Sequence, residues 1–324
     1  MSHHIRRRAG IAAALVSSAA LMLSACGGGD IEETDSASGS GASCDTTVNM
    51  AINPWVGFEA SAHVVGRVIE EKLGCKVEYK NLKEEVAWQG FGKDVDVVIE
   101  DWGHPDLVEK YVDSANPTAV EVGPNGNVGQ IGWFVPPSLV EKYPDITNWE
   151  NLNKYADIFE TSESGGKGQL LDGDPSFVTN DEALVKNNNL DYKVVYAGSE
   201  AALITAFKQA EEKKTPLIGY FYAPQWFLAE VPLVKVNLPE YTEGCDADPA
   251  KITCDYPETE LLKYAAKDFM DSGSPAADVV KAFEWTNEDQ NLVAKYIAQD
   301  KMSADDAADQ WIADNPDKVE AWLG

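Results

Sequence analysis

Basic residues are scarce in this chain, whereas acidic residues are abundant. Its 324 residues include 26 Lys and Arg against 54 Asp and Glu, which gives a formal net charge of −28. Such a surface repels phosphate backbones and anionic lipid faces, so the composition disfavours nucleic-acid binding. The charge weakly favours cationic ligands, although solubility outside the cell accounts for it equally well.

Sequence motifs of enzymes and metal sites are also missing. No CxxC pair or Cys/His spacing indicates a metal, and the glycine-rich loop Gly165–Gly168 lacks the Walker spacing and its terminal Ser or Thr. No nucleophile elbow, zinc motif or Ser-Asp-His order is visible. We therefore expect no catalytic residue, metal or cofactor. An exported hydrolase stays open as an alternative, because paired carboxylates cannot be recognised from spacing in so acidic a chain.

The chain also lacks an apolar run long enough to cross a membrane. Gly10–Leu23 is apolar but too short, follows the basic residues Arg6–Arg8, and leads to Leu23-Ser24-Ala25-Cys26. These features predict a signal peptide over residues 1–25. The tetrapeptide resembles a bacterial lipobox, which implies that Cys26 becomes a lipidated first residue; an ordinary secretory signal cut nearby is the alternative.

The segment after Cys26 is rich in Gly, Ser and acidic residues, and it has little to bury. Residues 26–44 are therefore predicted to be a flexible tether. Removal of residues 1–25 takes away three of the 26 basic residues and no acid, so 23 basic residues face 54 acidic ones and the formal net charge becomes −31. About 280 residues remain after the tether, enough for two lobes with separate cores.

Four cysteines besides Cys26 form an even set in an oxidising compartment, which favours two disulfides. Four cysteines allow three pairings. Cys44 and Cys75 precede the first two predicted strands, and Cys245 and Cys254 bracket a polar loop. We predict the pairs Cys44–Cys75 and Cys245–Cys254.

Hydrophobic periodicity predicts a strand–helix–strand unit at the start of the globular part. Residues 46–52 form an extended apolar stretch, 59–73 have apolar residues at helical spacing with Gly74 as a stop, and 75–79 are extended again. Such a succession implies a parallel sheet in an α/β protein.

Two extended stretches, Gly129–Val135 and Val231–Leu238, are interpreted as hinge strands between two lobes. From Glu258 onward the pattern predicts helices, beginning with Leu261–Phe269, that pack back on the first sheet. Lobe I is then expected over residues 45–128 plus 239–324, and lobe II, with the hinge strands, over 129–238.

Aromatic residues follow several of the predicted strands. The apolar strand at Val95 ends in Glu100-Asp101-Trp102-Gly103-His104; Trp55 follows the first strand, Phe177 lies in a Gly-Asp-Pro-Ser-Phe loop, and Tyr222 ends another strand. Ligands of open α/β sheets bind beyond strand ends, and several rings around one point attract a cation that has no N–H. Trp55, Trp102, Phe177 and Tyr222 are therefore the candidate cage, while the other seven tryptophans are expected in the core or on helix faces.

The order of these motifs resembles that of glycine betaine/proline betaine-binding proteins of ABC importers. The motifs are Asp-Trp-x-x-Pro at 101–105, Gly-Trp-Phe-Val-Pro at 132–136, Gly-Asp-Pro-Ser-Phe at 173–177 and Tyr-Phe-Tyr-Ala-Pro-Gln-Trp at 220–226. The resemblance covers nearly all of residues 45–324. It implies a two-lobed, type II periplasmic-binding-protein-like fold with a cage of Trp102, Phe177 and Tyr222. Phe177 and Tyr222 stand where tryptophan is common in the family.

The resemblance also implies a clamp for the ligand's carboxylate. Backbone N–H groups of Val178 and Thr179, at a helix start, would hold it, in keeping with the anion preference of helix N-termini. His104 is a further candidate donor, and an ordinary surface or capping histidine is the alternative. Glu100 and Asp101 are candidates for a counter-charge to the cation or for helix capping, and capping is favoured for Asp101.

We therefore expect an exported, lipid-anchored and monomeric binding protein on the extracytoplasmic face of the cell membrane. It would close on a quaternary-ammonium osmolyte and deliver it to an ABC permease. Choline or carnitine is the alternative ligand. A lipoprotein serving only adhesion or structure is a further alternative class, and it would have no reason to place aromatics at strand ends.

Overall fold

The computed structural model describes residues 44, 46–177 and 179–324. The predicted signal peptide (1–25), the lipidated Cys26, the tether up to residue 43 and Val178 lie outside this part of the chain. Across the described ranges, no helix combines the length and the apolar character that crossing a membrane requires.

Strands and helices alternate through the first two thirds of the chain. Within the described residues the strands are β1 (Thr47–Ile52), β2 (Lys76–Asn81), β3 (Val97–Asp101), β4 (Ala119–Val135), β5 (Gly168–Asp172), β6 (Tyr192–Tyr196), β7 (Gly219–Ala223), β8 (Val234–Lys235) and β9 (Glu258–Ala266).

Helices connect these strands and form the C-terminal part of the chain. In the same residues they are α1 (Val56–Leu73), α2 (Glu84–Gln89), α3 (Pro105–Tyr111), α4 (Pro137–Lys142), a 3₁₀ helix (Trp149–Phe159), α5 (Asp181–Asn187), α6 (Glu200–Lys213), α7 (Phe227–Glu230), α8 (Lys267–Asp271), α9 (Pro275–Ala282), α10 (Asn287–Ala298), α11 (Ala304–Asp314) and α12 (Pro316–Leu323).

The predicted strand–helix–strand unit is present at the start of this structure. The 18-residue helix α1 ends at Gly74, whose φ of 69° is the left-handed conformation that glycine adopts readily and whose N–H bonds to the carbonyl of Glu70. β1 pairs in parallel with β2, from Thr47 opposite Lys76 to Ile52 opposite Asn81. β1 and β2 therefore end on the same side of the sheet, where Trp55 precedes α1 and Glu84 begins α2.

One mixed sheet runs through the protein in the order β2-β1-β3-β9-β4-β7-β5-β6, with β8 paired to β4. Parallel pairs form its two outer parts, β2-β1-β3 and β7-β5-β6. The antiparallel strands β9 and β4 lie between them. The loops that follow strands of the two parallel parts can therefore meet beside β9 and β4.

The first predicted hinge strand, Gly129–Val135, is the second half of the longer strand β4. β4 pairs with β9 from Ala119 to Gln130 and with β7 from Gln130 to Phe134, so it passes from one part of the sheet to the other. The second predicted hinge strand, Val231–Leu238, contains only the two-residue strand β8. The chain instead re-enters the first part through β9.

The predicted helix over Leu261–Phe269 is wrong, because these residues form most of β9 and the start of α8. Leucine, lysine and alanine favour helices when isolated. Here β9 fills the gap between β3 and β4, and the hydrogen bonds and burial gained on both sides override that local preference.

The apolar side chains form two clusters. The larger one includes α1, β1, β3 and the C-terminal helices, and it extends to Phe207 and Phe221. The smaller one surrounds Trp133 and includes Ile252 and Tyr256, although residues 239–257 were assigned to lobe I from the sequence. The lobe boundaries stay a proposal, and these contacts favour a second crossing at the start of β9.

Both predicted disulfides are present. Cys44 bonds to Cys75 beside the paired strands β1 and β2, and Cys245 bonds to Cys254 across the polar loop. The first ties the start of β1 to the start of β2, and the second closes a loop packed against the smaller apolar cluster.

Candidate ligand-binding site

The aromatic residues predicted to form a cage line one cavity. Trp55 follows β1, Trp102 follows β3, Phe177 lies in the loop after β5, and Tyr222 lies on β7. About 420 Å³ of space, part of it open to solvent, lies between these side chains. Its lining residues are Trp55, Glu84, Trp102, Gly103, His104, Ile131, Phe177, Tyr220 and Tyr222.

The aromatic side chains contact one another across the two parts of the sheet. We call Trp55, Trp102, Phe177, Tyr220 and Tyr222 the aromatic wall. Edge-to-face pairs join Trp55 to Phe177 at a centroid distance of 5.8 Å and Trp102 to Tyr222 at 5.4 Å. Ring faces carry partial negative charge, so this wall suits an alkylated cation.

Two glycines leave room for these rings. A Cβ atom at Gly129, on β4, would lie 2.6 Å from the Trp102 ring, and one at Gly173 would lie 2.7 Å from the Phe177 ring. Both distances are shorter than van der Waals contact. The two rings therefore pack against the glycine backbone, where any larger residue would collide with them.

Glu100 is a buried acid that holds both indoles of the wall. Its Oε1 accepts the indole N–H of Trp55 at 2.8 Å and that of Trp102 at 2.9 Å. Its Oε2 accepts from Ser61 at 3.2 Å and from Gln290. Burial raises the pKa of the Glu100 carboxyl, while these four donors act to lower it. Glu100 is thus neither a helix cap nor part of the cavity lining; it orients the indoles from behind.

Glu200 has the corresponding position in the other part of the sheet. Its carboxylate accepts the hydroxyl of Tyr222, the side-chain amide of Gln225 at 2.8 Å and the backbone N–H of Val56 at 3.0 Å. Burial raises the pKa of Glu200 against these donors. Val56 is the first residue of α1, so this carboxylate connects the first part of the sheet to Tyr222 of the wall. Its negative charge also interacts favourably with the positive end of the α1 dipole.

Three ionisable residues, Glu84, Asp101 and His104, lie together at one side of the cavity. We call them the polar corner. His104 Nδ1 lies 2.6 Å from Asp101 Oδ1 and donates to it, and His104 Nε2 lies 3.4 Å from Glu84 Oε1. Asp101 Oδ2 accepts the N–H of Gly103 at 2.9 Å. The predicted capping role of Asp101 is therefore wrong, since α3 begins at Pro105 and no side chain caps it.

The protonation states of the corner depend on burial and on the neighbouring charges. Burial raises the pKa of Glu84 to about 7, with His104 acting in the opposite direction. Burial lowers the pKa of His104, but Asp101 and Glu84 outweigh it and the value rises to about 9. At neutral pH His104 is therefore protonated, and Glu84 exists in both forms.

The loop that carries Phe177 is held by Asp172. This buried carboxylate accepts the N–H of Gly173 at 2.6 Å and the hydroxyl of Thr179 at 2.9 Å. Thr179 is not a lining residue of the cavity, and the helix predicted to start at Val178 and Thr179 begins at Asp181. The carboxylate clamp stays a prediction.

The sequence interpretation missed Tyr220 and Glu84 as lining residues. Tyr220 and Tyr222 are two apart on β7, and alternate residues of a strand face the same side, so the pattern Gly-Tyr-Phe-Tyr held this signal. Glu84 follows β2 at the sheet edge that also carries Trp55 and Trp102. Among the described residues, no group of three or more His, Cys, Asp or Glu side chains is arranged to hold a metal ion.

Comparisons with known proteins agree with this geometry. A family model described as the substrate-binding domain of ABC-type glycine betaine transport systems matches residues 46–314. A trimethylamine N-oxide-binding protein of Pelagibacter ubique is 28% identical over 283 residues, which cover 81% of this chain and 85% of that protein.

Solved structures show the fold. Lactococcal OpuAC, closed and complexed with glycine betaine, has 22% identity and a TM-score of 0.67, covering 86% of this chain and all of that one. A choline-binding protein of an ABC transporter in complex with choline has 18% identity and a TM-score of 0.69, covering 86% and 91%. The predicted α/β, two-lobed fold of type II periplasmic binding proteins is confirmed.

Proposed function

Because this chain belongs to the family of substrate-binding domains of ABC-type glycine betaine transport systems, we propose that its aromatic wall captures a small quaternary-ammonium osmolyte for an ABC permease. The observation that supports this most is the meeting of five rings from both parts of the sheet around one cavity. Trp55, Trp102, Phe177 and Tyr222 are the proposed cage residues, with Tyr220 added.

Ligand capture is proposed to couple to closure of the two lobes. Rings from both parts of the sheet contact the same cation, so a bound ligand stabilises the closed arrangement relative to an open one. The buried bond from the N–H of Val56 to Glu200 supports this coupling, since it joins the start of α1 to the start of α6.

The remaining properties are proposals that rest on the sequence. The chain is exported, anchored through lipid on Cys26, and works as a monomer that binds ligand without catalysing a reaction. The betaines, choline and carnitine share the cationic head group that the wall fits, as trimethylamine N-oxide nearly does. If the ligand ends in a carboxylate, Val178, Thr179 and His104 are the predicted donors to that group.

Calorimetric titration of the mature globular part, residues 44–324, tests the proposal. Glycine betaine, proline betaine, carnitine, choline and trimethylamine N-oxide are titrated in parallel. We expect saturable binding of at least one of these compounds. Absence of binding for all five, with a protein that unfolds cooperatively, would contradict the proposed function.

A further inference from the structure

Glu84 is a buried acid that lines the cavity, and its carboxylate oxygens can accept more hydrogen bonds than the described residues donate to them. Its exposed fraction is 7%, and within the described residues its contact with a donor is the 3.4 Å approach of His104 Nε2, longer than an ordinary charge-assisted hydrogen bond. Buried polar side chains nearly always have a hydrogen-bond partner, because an unsatisfied one is costly. Glu84 lines the cavity, where a bound ligand can supply such a partner.

The other acids at the site are already satisfied. Glu100 accepts from both indoles, Glu200 accepts from Tyr222, Gln225 and Val56, and Asp101 accepts from Gly103 and His104. These same bonds use up most side-chain donors of the aromatic wall. In the described part of the lining, the side-chain donors left over are the Tyr220 hydroxyl and His104 Nε2, and the second faces Glu84.

This arrangement disfavours a ligand that ends in a carboxylate. A buried carboxylate needs several donors. In the polar corner it would meet one positive charge, on His104, and the like charge of ionised Glu84. A single oxygen needs one partner. A hydroxyl donates to the ionised Glu84, and an amine-oxide oxygen accepts from the protonated form; both forms exist at neutral pH because burial raises the pKa of Glu84 to about 7.

We propose that Glu84 contacts the polar end of the bound ligand and selects trimethylammonium compounds that carry one oxygen, as hydroxyl or amine oxide, over those that end in a carboxylate. The inference rests on the proposed function, since it places the cationic end of the ligand against the aromatic wall. Glu84 would then determine specificity, and the wall would supply affinity common to all such ligands.

The test compares Glu84→Gln with the wild type and with Glu85→Gln. Gln is nearly isosteric with Glu; it removes the charge and replaces one carboxylate oxygen with an amide donor. Glu85, the next residue of α2, is exposed and does not line the cavity. Affinities for choline, trimethylamine N-oxide and glycine betaine are measured by calorimetry near pH 7, and thermal unfolding of each protein checks its fold.

In the wild type we expect choline or trimethylamine N-oxide to bind at least about tenfold more tightly than glycine betaine, the effect of one charged hydrogen bond. Glu84→Gln should reduce this ratio about tenfold, while Glu85→Gln leaves it unchanged. Tighter wild-type binding of glycine betaine, or an unchanged ratio in Glu84→Gln, overturns the inference and leaves the proposed function intact. The wild-type ratio decides even if the variant does not fold. Absence of binding by all three ligands overturns the inference, and the proposed function is overturned as well if proline betaine and carnitine also fail to bind.

Discussion

The aromatic wall and the polar corner of the same cavity are organised in opposite ways. In the wall, both indole N–H groups and the Tyr222 hydroxyl are bonded to the buried acids Glu100 and Glu200. In the corner, the polar contact of Glu84 within the described residues is the 3.4 Å approach of His104. The wall is therefore preorganised before a ligand arrives, whereas we propose that the ligand completes the corner. Affinity and selectivity are thus expected to depend on different residues.

Removing a ring of the wall should have the largest effect. Trp102→Ala deletes an indole that faces the cavity, and a desolvated cation–π contact is worth about 2 kcal/mol or more, so we expect affinity to fall by about 30-fold or more. The loss should be similar for every quaternary-ammonium ligand that binds. Trp102→Phe, which keeps a ring, should lose less in the same titration. Wild-type affinity in Trp102→Ala would refute the cage.

Removing the charge behind the indoles should have a smaller effect. Glu100→Gln keeps the size of the side chain but replaces one acceptor oxygen with an amide donor, so we expect affinity to fall about tenfold. Urea unfolding should show little loss of stability, because the substitution also relieves the cost of a buried charge. A large loss of stability with unchanged affinity would make Glu100 a core residue without a role in orienting the wall.

Glu200→Gln should weaken binding less than Glu100→Gln. Within the described residues, Glu200 bonds to the wall through Tyr222, and its other bonds are with Val56 of α1 and with Gln225. We expect an affinity loss of about threefold to tenfold, seen in stopped-flow fluorescence mainly as faster ligand dissociation, because closure is weakened. A change in the ranking of ligands would contradict the separation between wall and corner.

Raising the pH should lower the stability of the folded protein through the polar corner. Folding raises the pKa of Glu84 from 4.5 to about 7 and that of His104 from 6.5 to about 9, and the charged groups facing Glu84 are His104, Asp101 and Glu100. Both residues hold protons more tightly in the folded state. Their stabilising contributions are complete below pH 4.5 and pH 6.5, respectively, and are lost as pH rises through about 7 and about 9.

Urea unfolding at several pH values measures this effect. We expect the free energy of unfolding to fall from about pH 5 to about pH 9, and Glu84→Gln to flatten the acidic half of this range. Stability that rises with pH across the range would show that Glu84 and His104 do not have these raised pKa values in the folded protein.

Much of the aromatic wall could be predicted because strand ends are visible in sequence. Apolar runs that stop at Trp55 and Trp102 locate the sheet edge, and the motifs around Phe177 and Tyr222 carry the family resemblance. Glu100 was harder to interpret, because a carboxylate next to a tryptophan can cap, pair or bond in several directions. Only the burial of its side chain between α1, β3 and α10 directs it toward both indoles.

The errors arose where distant partners decide the local structure. The stretch Glu258–Ala266 has the composition of a helix, but it becomes a strand because β3 and β4 flank it. Glu84 was missed for a similar reason: its contact with His104 joins residues 20 apart in the chain. No local pattern shows that an acid beginning a six-residue helix is buried in a ligand cavity.

The most direct test of the account replaces the cationic nitrogen of the ligand. The tightest ligand from the titration panel is compared, on the wild-type protein, with its analogue in which a carbon atom stands in place of that nitrogen. The shape is kept and the positive charge is lost. If the rings hold a cation, the charged ligand should bind about 30-fold more tightly or better. Equal affinity for the two compounds would show that the cavity recognises only an apolar shape, and would contradict the proposed cage.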